Sequence, residues 1–168
     1  MCISHYTRST QILDRTFPVV IAGGTISTNI VDIVEVVDSN TNCEVDRIPT
    51  QLSGASGING MLCGGEDYNF NILSSCWNLN PNGTWTSGEN MMEPKKRFSL
   101  NKVEDEIIAI GGRTSNIALR SIERLLLTKD EGWSRMKDAP IKIYRHCTVM
   151  LNASYLMIIG GYQINQVN

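Results

Sequence analysis

The apolar residues of this 168-residue chain arrive in short bursts, and four of those bursts end in a glycine pair. FPVVIA leads to Gly23-Gly24, MLC to Gly64-Gly65, EIIAI to Gly111-Gly112 and YLMII to Gly160-Gly161. Short apolar runs bounded by glycine read as buried strands. Successive second glycines stand 41, 47 and 49 residues apart. Eleven residues beyond them come Glu35, Cys76 and Glu123, and about twenty beyond come Cys43, Trp85 and Trp133. Upstream, Arg8, Arg97 and Arg145 precede the first glycine of their pairs by 15, 14 and 15 residues. Three landmarks in step define one repeating unit, of which Glu106 to Trp133 is the fullest copy.

A period of about 40 to 50 residues with a Gly/aromatic signature predicts the four-stranded blades of a β-propeller. In the first unit the expected strands are Ser9 to Leu13, then FPVVIA ended by Gly23-Gly24, then Val31 to Asp38, which alternates and β-branches, then Cys43 to Arg47. Pro49 and the glycines 54, 57 and 60 mark the crossing into the second unit, where an arginine is expected near Thr50 and none stands. There GMLCGG precedes a polar loop, EDYNFNIL, then SSCWNLN, a tight turn at Pro81-Asn82-Gly83, and TWTS. The third unit begins at Arg97. The fourth, from Arg145, supplies two inner strands, HCTVML and YLMII.

These units resemble the kelch repeat, whose pattern is an apolar strand, Gly-Gly, a loop, an acidic residue on the third strand and a Trp on the fourth. The resemblance implies an all-β, kelch-type β-propeller of about three and a half four-stranded blades, at 1–48, 49–94 and 95–144 with a half blade at 145–168. Closed propellers have 4 to 8 blades. The expectation is therefore a fragment; the alternatives are a truncated product that pairs with a second copy and a shortened ring whose first strand closes on the last unit. A narrower likeness is to secreted invertebrate kelch-type proteins, which carry Cys at the places of Cys63, Cys76 and Cys43, with Cys147 following Arg145.

The formal net charge of -2 and 42% hydrophobic residues describe an ordinary globular chain, with no basic excess for nucleic acid and no apolar run of membrane-spanning length. No signal-peptide pattern is read at the start. Each Gly pair is expected to turn the backbone with positive φ where a neighbouring strand comes close. Trp85 and Trp133 are expected to wedge between blades, and Glu35 and Glu123 to accept hydrogen bonds from backbone or from an arginine of a neighbouring unit. Blade topology puts Arg8, Arg97 and Arg145 at the channel mouth, beside the loops Thr25 to Ile30, Glu66 to Ile72, Arg113 to Ala118, and Tyr162 onward. With Arg113, Tyr68, Phe70, Asn71 and Asn116 they form the candidate surface for an acidic or polar peptide, because guanidinium binds carboxylates in a bidentate way. The alternative is an arginine paired internally to the motif glutamate.

Catalytic patterns are absent from the sequence: His5 and His146 are the only histidines, and no Cys-x-x-Cys or Gly-x-Ser-x-Gly element occurs. His146 is expected to be packed. No cofactor and no metal are expected. Cys63 and Cys76 lie on consecutive strands, where they are either disulfide-bonded or buried as free thiols. Two N-glycosylation sequons, Asn82-Gly-Thr and Asn152-Ala-Ser, fall at expected turns. Cysteine placement and sequons favour an extracellular location. The reading is a non-catalytic protein-binding module with an unidentified protein or peptide ligand and possible self-association through open blade edges. The alternatives are the substrate-receptor part of a BTB-kelch ubiquitin-ligase adaptor and a propeller enzyme acting on a sugar, epimerase- or oxidase-like.

Overall fold

The computed structural model describes residues 19–26, 29–37, 46–152 and 155–163, with side chains described from 46 onward. Arg8, Cys43, His5 and the expected strand Ser9 to Leu13 lie outside these residues. The described residues are all strand, turn and loop. β1 (Val19–Ile26) pairs antiparallel with β2 (Asn29–Val37). β3 (Ser56–Ile58), β4 (Met61–Cys63), β5 (Cys76–Leu79) and β6 (Trp85–Ser87) form one four-stranded sheet in sequence order. β7 (Ser99–Val103), β8 (Glu106–Ile110), β9 (Ile122–Leu126) and β10 (Trp133–Arg135) form a second one in the same order. β12 (Cys147–Asn152) and β13 (Tyr155–Ile159) begin a third, and β11 (Ile143–Tyr144) pairs with β14 (Tyr162–Gln163). The fold is a partial kelch-type β-propeller.

Two expectations are corrected in the first unit. The strand before Gly23-Gly24 does not end there: β1 continues to Ile26 with a register shift between Ala22 and Gly24, so Thr25 and Ile30 are paired and not in an open loop. The β-branched residues Thr25, Ile26, Ile30 and Val31 suit that ladder. The same pairing appears in the other units as the isolated bridges Glu66↔Ile72 and Arg113↔Ala118. Asp46 and Arg47, expected at the end of an outer strand, are not in a strand; the carbonyl of Asp46 instead accepts the indole N–H of Trp85 at 2.9 Å.

Adjacent blades pack through the glycine pairs. A Cβ on Gly64 would stand 2.5 Å from the carbonyl oxygen of Lys95 and 2.8 Å from the ring of Phe98. On Gly111 it would meet the carbonyl of Ile143 at 2.5 Å and His146 at 3.1 Å. The first glycine of each pair thus receives the backbone that opens the following blade, at φ of 62° and 60°. Trp133, 6% exposed, donates its indole N–H to the Glu89 carbonyl at 2.9 Å, so both tryptophans clasp the segment that enters their own blade. The main core joins Met61, Cys63, Cys76, Met91, Phe98, Leu100, Ile107, Ala109, Leu125 and Trp133.

Cys63 and Cys76 are disulfide-bonded across β4 and β5, with Cα atoms 4.1 Å apart. The Gly64 N–H to Ser75 C=O bond beside them marks a non-hydrogen-bonded pair, the closer of the two antiparallel pair types. Of the two states left open by the sequence, the structure has the bridge. Closing this short loop contributes about 3 kcal/mol in the chain-entropy picture. Cys147 is disulfide-bonded as well.

Candidate functional site

The blades meet at a line of backbone hydrogen bonds around the channel. Arg97 N–H donates to the carbonyl of Gly54 at 2.7 Å, and Arg145 N–H donates to the carbonyl of Arg97 at 2.8 Å. All three residues have positive φ: 68° at Gly54, 58° at Arg97 and 55° at Arg145. Each follows a residue bridged to the loop after a glycine pair, Ser53 to Glu66, Lys96 to Arg113 and Tyr144 to Tyr162. Gly54 therefore occupies the arginine position of the second blade. Counting back from Gly64 missed it because β3 and β4 have three residues each where β7 and β8 have five.

Arg97, Arg145 and Arg113 come together at this mouth. Burial depresses the Arg97 pKa below the usual guanidinium range, and the charges of Arg145 and Arg113 push the same way, against smaller opposing effects from Glu66 and Tyr144. The guanidinium of Arg113 lies 5.2 Å from the ring centre of Tyr144, and that of Arg145 lies 5.8 Å from the ring centre of Tyr162. The two tyrosine rings stack with centres 5.5 Å apart. Tyr162 opens the fourth of the loops expected at the mouth, whereas Tyr144 is not expected there from sequence, because it precedes the motif arginine and reaches the loop after Gly161 only through the β11–β14 pairing.

The carboxylate that acts on Arg97 is already engaged: Glu66 pairs with Lys96 at 2.6 Å. Arg113 donates to the carbonyls of Thr114 and Ser115 in its own loop. Nε of Arg145 is buried and has no hydrogen-bond acceptor among the described residues. The motif acid does not take an arginine either. Glu123 pairs with Lys95 Nζ at 2.6 Å, both side chains fully buried, and accepts Met92 N–H at 2.7 Å. Lys95 also donates to Ser121 Oγ at 2.9 Å. The expected acceptor role of Glu123 is seen, with a lysine in place of the expected arginine.

Beside the cluster, the loop after Gly65 is braced by Asp67, whose carboxylate accepts the N–H groups of Asn69 and Asn71 and the side-chain amide of Asn71. This bracing spends the Asn71 donor inside the loop and turns Tyr68 and Phe70 outward, 65% and 76% exposed, with Phe70 at φ 65°. Asn116 is exposed at the tip of the following loop. His146 is buried and paired to Ser99 Oγ at 3.1 Å, and burial lowers its pKa to about 4. It precedes β12 instead of lying within it. Among the described residues no group of three His, Cys, Asp or Glu is placed to hold a metal, and no helix is long and apolar enough to cross a membrane.

No family model matches the chain. Curated relatives do. Over 102 residues it is 31% identical to Kelch repeat and BTB domain-containing protein 2 of cowpox virus (strain GRI-90 / Grishak), covering 60% of this chain and 18% of that protein. It is also 31% identical over 102 residues to Kelch-like protein 7 of Mus musculus, covering 59% of this chain and 17% of the relative. Kelch-like protein 36 of Bos taurus is 33% identical over 82 residues, covering 48% of this chain and 13% of the relative. With the repeat geometry above, these matches decide the family. The chain is a kelch-repeat protein. It spans less than a fifth of the length of the relatives it matches.

In this kelch chain the mouth gathers cationic side chains beside the loops that follow the glycine pairs. Three arginines converge there, one carries a buried donor without an acceptor, and two stacked tyrosines wall one side.

Proposed function

We propose that this kelch chain is a non-catalytic binding module that holds an acidic peptide segment of a partner protein at its channel mouth. The observation that carries this is the convergence of Arg97, Arg113 and Arg145 at the mouth. Like charges gathered in this way are relieved by a carboxylate, which a guanidinium holds through strong charge-assisted bonds. Tyr68 and Phe70 add apolar anchors of the kind that dominate interface energetics. The sugar-enzyme alternative draws no support from the relatives, whose names are those of kelch-repeat and kelch-like proteins.

The test is fluorescence anisotropy with a glutamate-rich peptide series against the wild type and an Arg97→Ala/Arg145→Ala variant, with near-UV circular dichroism to check the fold. The expected result is at least a tenfold loss of affinity in the folded variant. Equal binding by a folded variant would remove the mouth as the site.

A second reading concerns the larger assembly. Gly160 has the φ of its counterparts, 66°, yet no described residue lies within 4 Å of the Cβ position that Ile143 and Lys95 carbonyls crowd in the preceding blades. Val149, Leu151, Tyr155, Met157 and Ile159 on the same hairpin are all more than 40% exposed. This face fits another kelch blade, such as one from a second copy of the chain. Sedimentation of the wild type as a dimer, and of a Leu151→Lys/Met157→Lys variant as a monomer, is the expected outcome; a monomeric wild type would overturn it.

A further inference from the structure

The structure assigns Asn82 as the acceptor of an N-linked glycan, on the face of the second blade opposite the arginine mouth. The sequon Asn82-Gly83-Thr84 forms the tip of the β5–β6 hairpin. The loop is closed by Asn80 N–H to Thr84 C=O at 2.8 Å and Gly83 N–H to Asn80 C=O at 2.9 Å, with Gly83 at φ 84°. This is the three-residue hairpin loop with a left-handed glycine at its end. It is made from local contacts, so it forms with the hairpin and needs no neighbouring blade.

The chemistry sits in the asparagine side chain. Thr84 donates twice to Asn82 Oδ1, from Oγ1 at 2.7 Å and from the backbone N–H at 3.2 Å. Two donors on the amide oxygen stabilise negative charge there and so make the Nδ2 protons easier to remove. Nδ2 has no hydrogen-bond partner among the described residues, and Asn82 is exposed. In the transfer, Nδ2 loses one proton to a base on the transferase and bonds to the anomeric carbon of a lipid-pyrophosphate-linked oligosaccharide. The bond from that carbon to the pyrophosphate oxygen breaks, and the lipid pyrophosphate leaves with the electron pair. No oxidant or reductant is involved.

A second, independent observation points to the compartment in which this reaction occurs. Cys63–Cys76 is a bridge and Cys147 is disulfide-bonded, and structural disulfides form and persist in oxidising compartments such as the lumen of the secretory route. The position also tolerates the product. Asp46 N–H donates to the Gly83 carbonyl and Leu79 N–H to the Gly60 carbonyl, which places this tip beside the Asn59-Gly60 turn and at the far end of β4 and β5 from Gly64-Gly65. A glycan there leaves the mouth uncovered.

The experiment is peptide mapping of the protein from its native source and of the full chain secreted by a eukaryotic cell behind a cleavable leader. The tryptic peptide 48–95 contains Asn82 and lacks Asn152. It is expected to carry one N-glycosidase-sensitive oligosaccharide in both samples, to lose it in Asn82→Gln and Thr84→Ala, and to keep it in Thr84→Ser. An unmodified Asn82 in protein from the native source overturns the assignment, as does a glycan that persists on this peptide in Thr84→Ala.

Discussion

Lys95 Nζ lies 2.6 Å from Glu123 Oε1 with neither side chain exposed. The backbone of Lys95 belongs to the seam, its N–H bonded to Leu73 and its carbonyl to Gly65 of the preceding blade. Its ammonium belongs to the third blade. One residue thus ties two blades, by peptide group on one side and by charge on the other. The positions equivalent by the Ser53–Glu66 and Lys96–Arg113 bridges hold Leu52 and Cys76 in the second blade, so there the charged pair is replaced by two apolar residues.

That pairing gives the first prediction. Removing one partner strips a buried charge of its closest counter-charge, with Glu93 at 3.8 Å the more distant second one for Lys95, so Glu123→Leu or Lys95→Leu is expected to destabilise the fold by about 3–5 kcal/mol. The double variant, which copies the apolar logic of the second blade, is expected to recover most of this loss. Urea denaturation of the three variants checks it, and a double variant as unstable as the sum of the singles would count against it.

Arg145 and Arg97 hold positive φ, a conformation that costs a side chain-bearing residue about 1–2 kcal/mol. Gly54 shows what the backbone itself prefers at this place. Arg145→Gly is therefore expected to leave stability unchanged or raise it by up to about 1 kcal/mol, while weakening peptide binding. A thermal melt beside the anisotropy titration reads both effects.

The glycine pairs are expected to respond unequally. Gly111→Ala drives a methyl to 2.5 Å from the Ile143 carbonyl and strains φ as well, so several kcal/mol are expected to be lost. Gly160→Ala meets no described residue within 4 Å and carries only the backbone penalty, about 1 kcal/mol. In a dimer formed over this face the second substitution is expected to act on association instead, visible as a rise in the dissociation constant by sedimentation.

Stability is expected to fall on acidification through His146. Its folded pKa of about 4 lies below the ordinary 6.5 because burial disfavours the charged ring. The unfolded chain then binds the extra proton first, so this contribution is fully present above pH 6.5 and is lost as pH falls from about 6.5 to 4. Phe98 fills the same place in the third blade, against the glycine pairs, so His146→Phe is expected to fold and to show a flatter stability profile in that window. Parallel urea melts at pH 7 and 5 measure the difference.

Much of the fold was legible in the chain because its signals are local and periodic. Apolar bursts, glycine pairs and Pro81-Asn82-Gly83 placed β4, β5, β6, β8, β12 and β13. Trp133 was legible as an inter-blade wedge because a large aromatic at a fixed offset has few other uses. The arginine cluster was partly legible: Arg97, Arg113 and Arg145 could be named and the loop from Tyr162 placed beside them, whereas Tyr144 could not.

The sequence by itself determined the kelch repeat, the strand positions and the residues able to carry positive charge to one rim. Only the tertiary structure decided which of them converge and what each one meets. Gly54 holds the arginine position because its hairpin is shorter, Lys95 is the partner of Glu123 because the seam carries it there, and Tyr144 meets Tyr162 because β11 pairs with β14. Each depends on which backbone the next blade presses against a glycine, and that distance belongs to the packed blades and not to any offset along the chain.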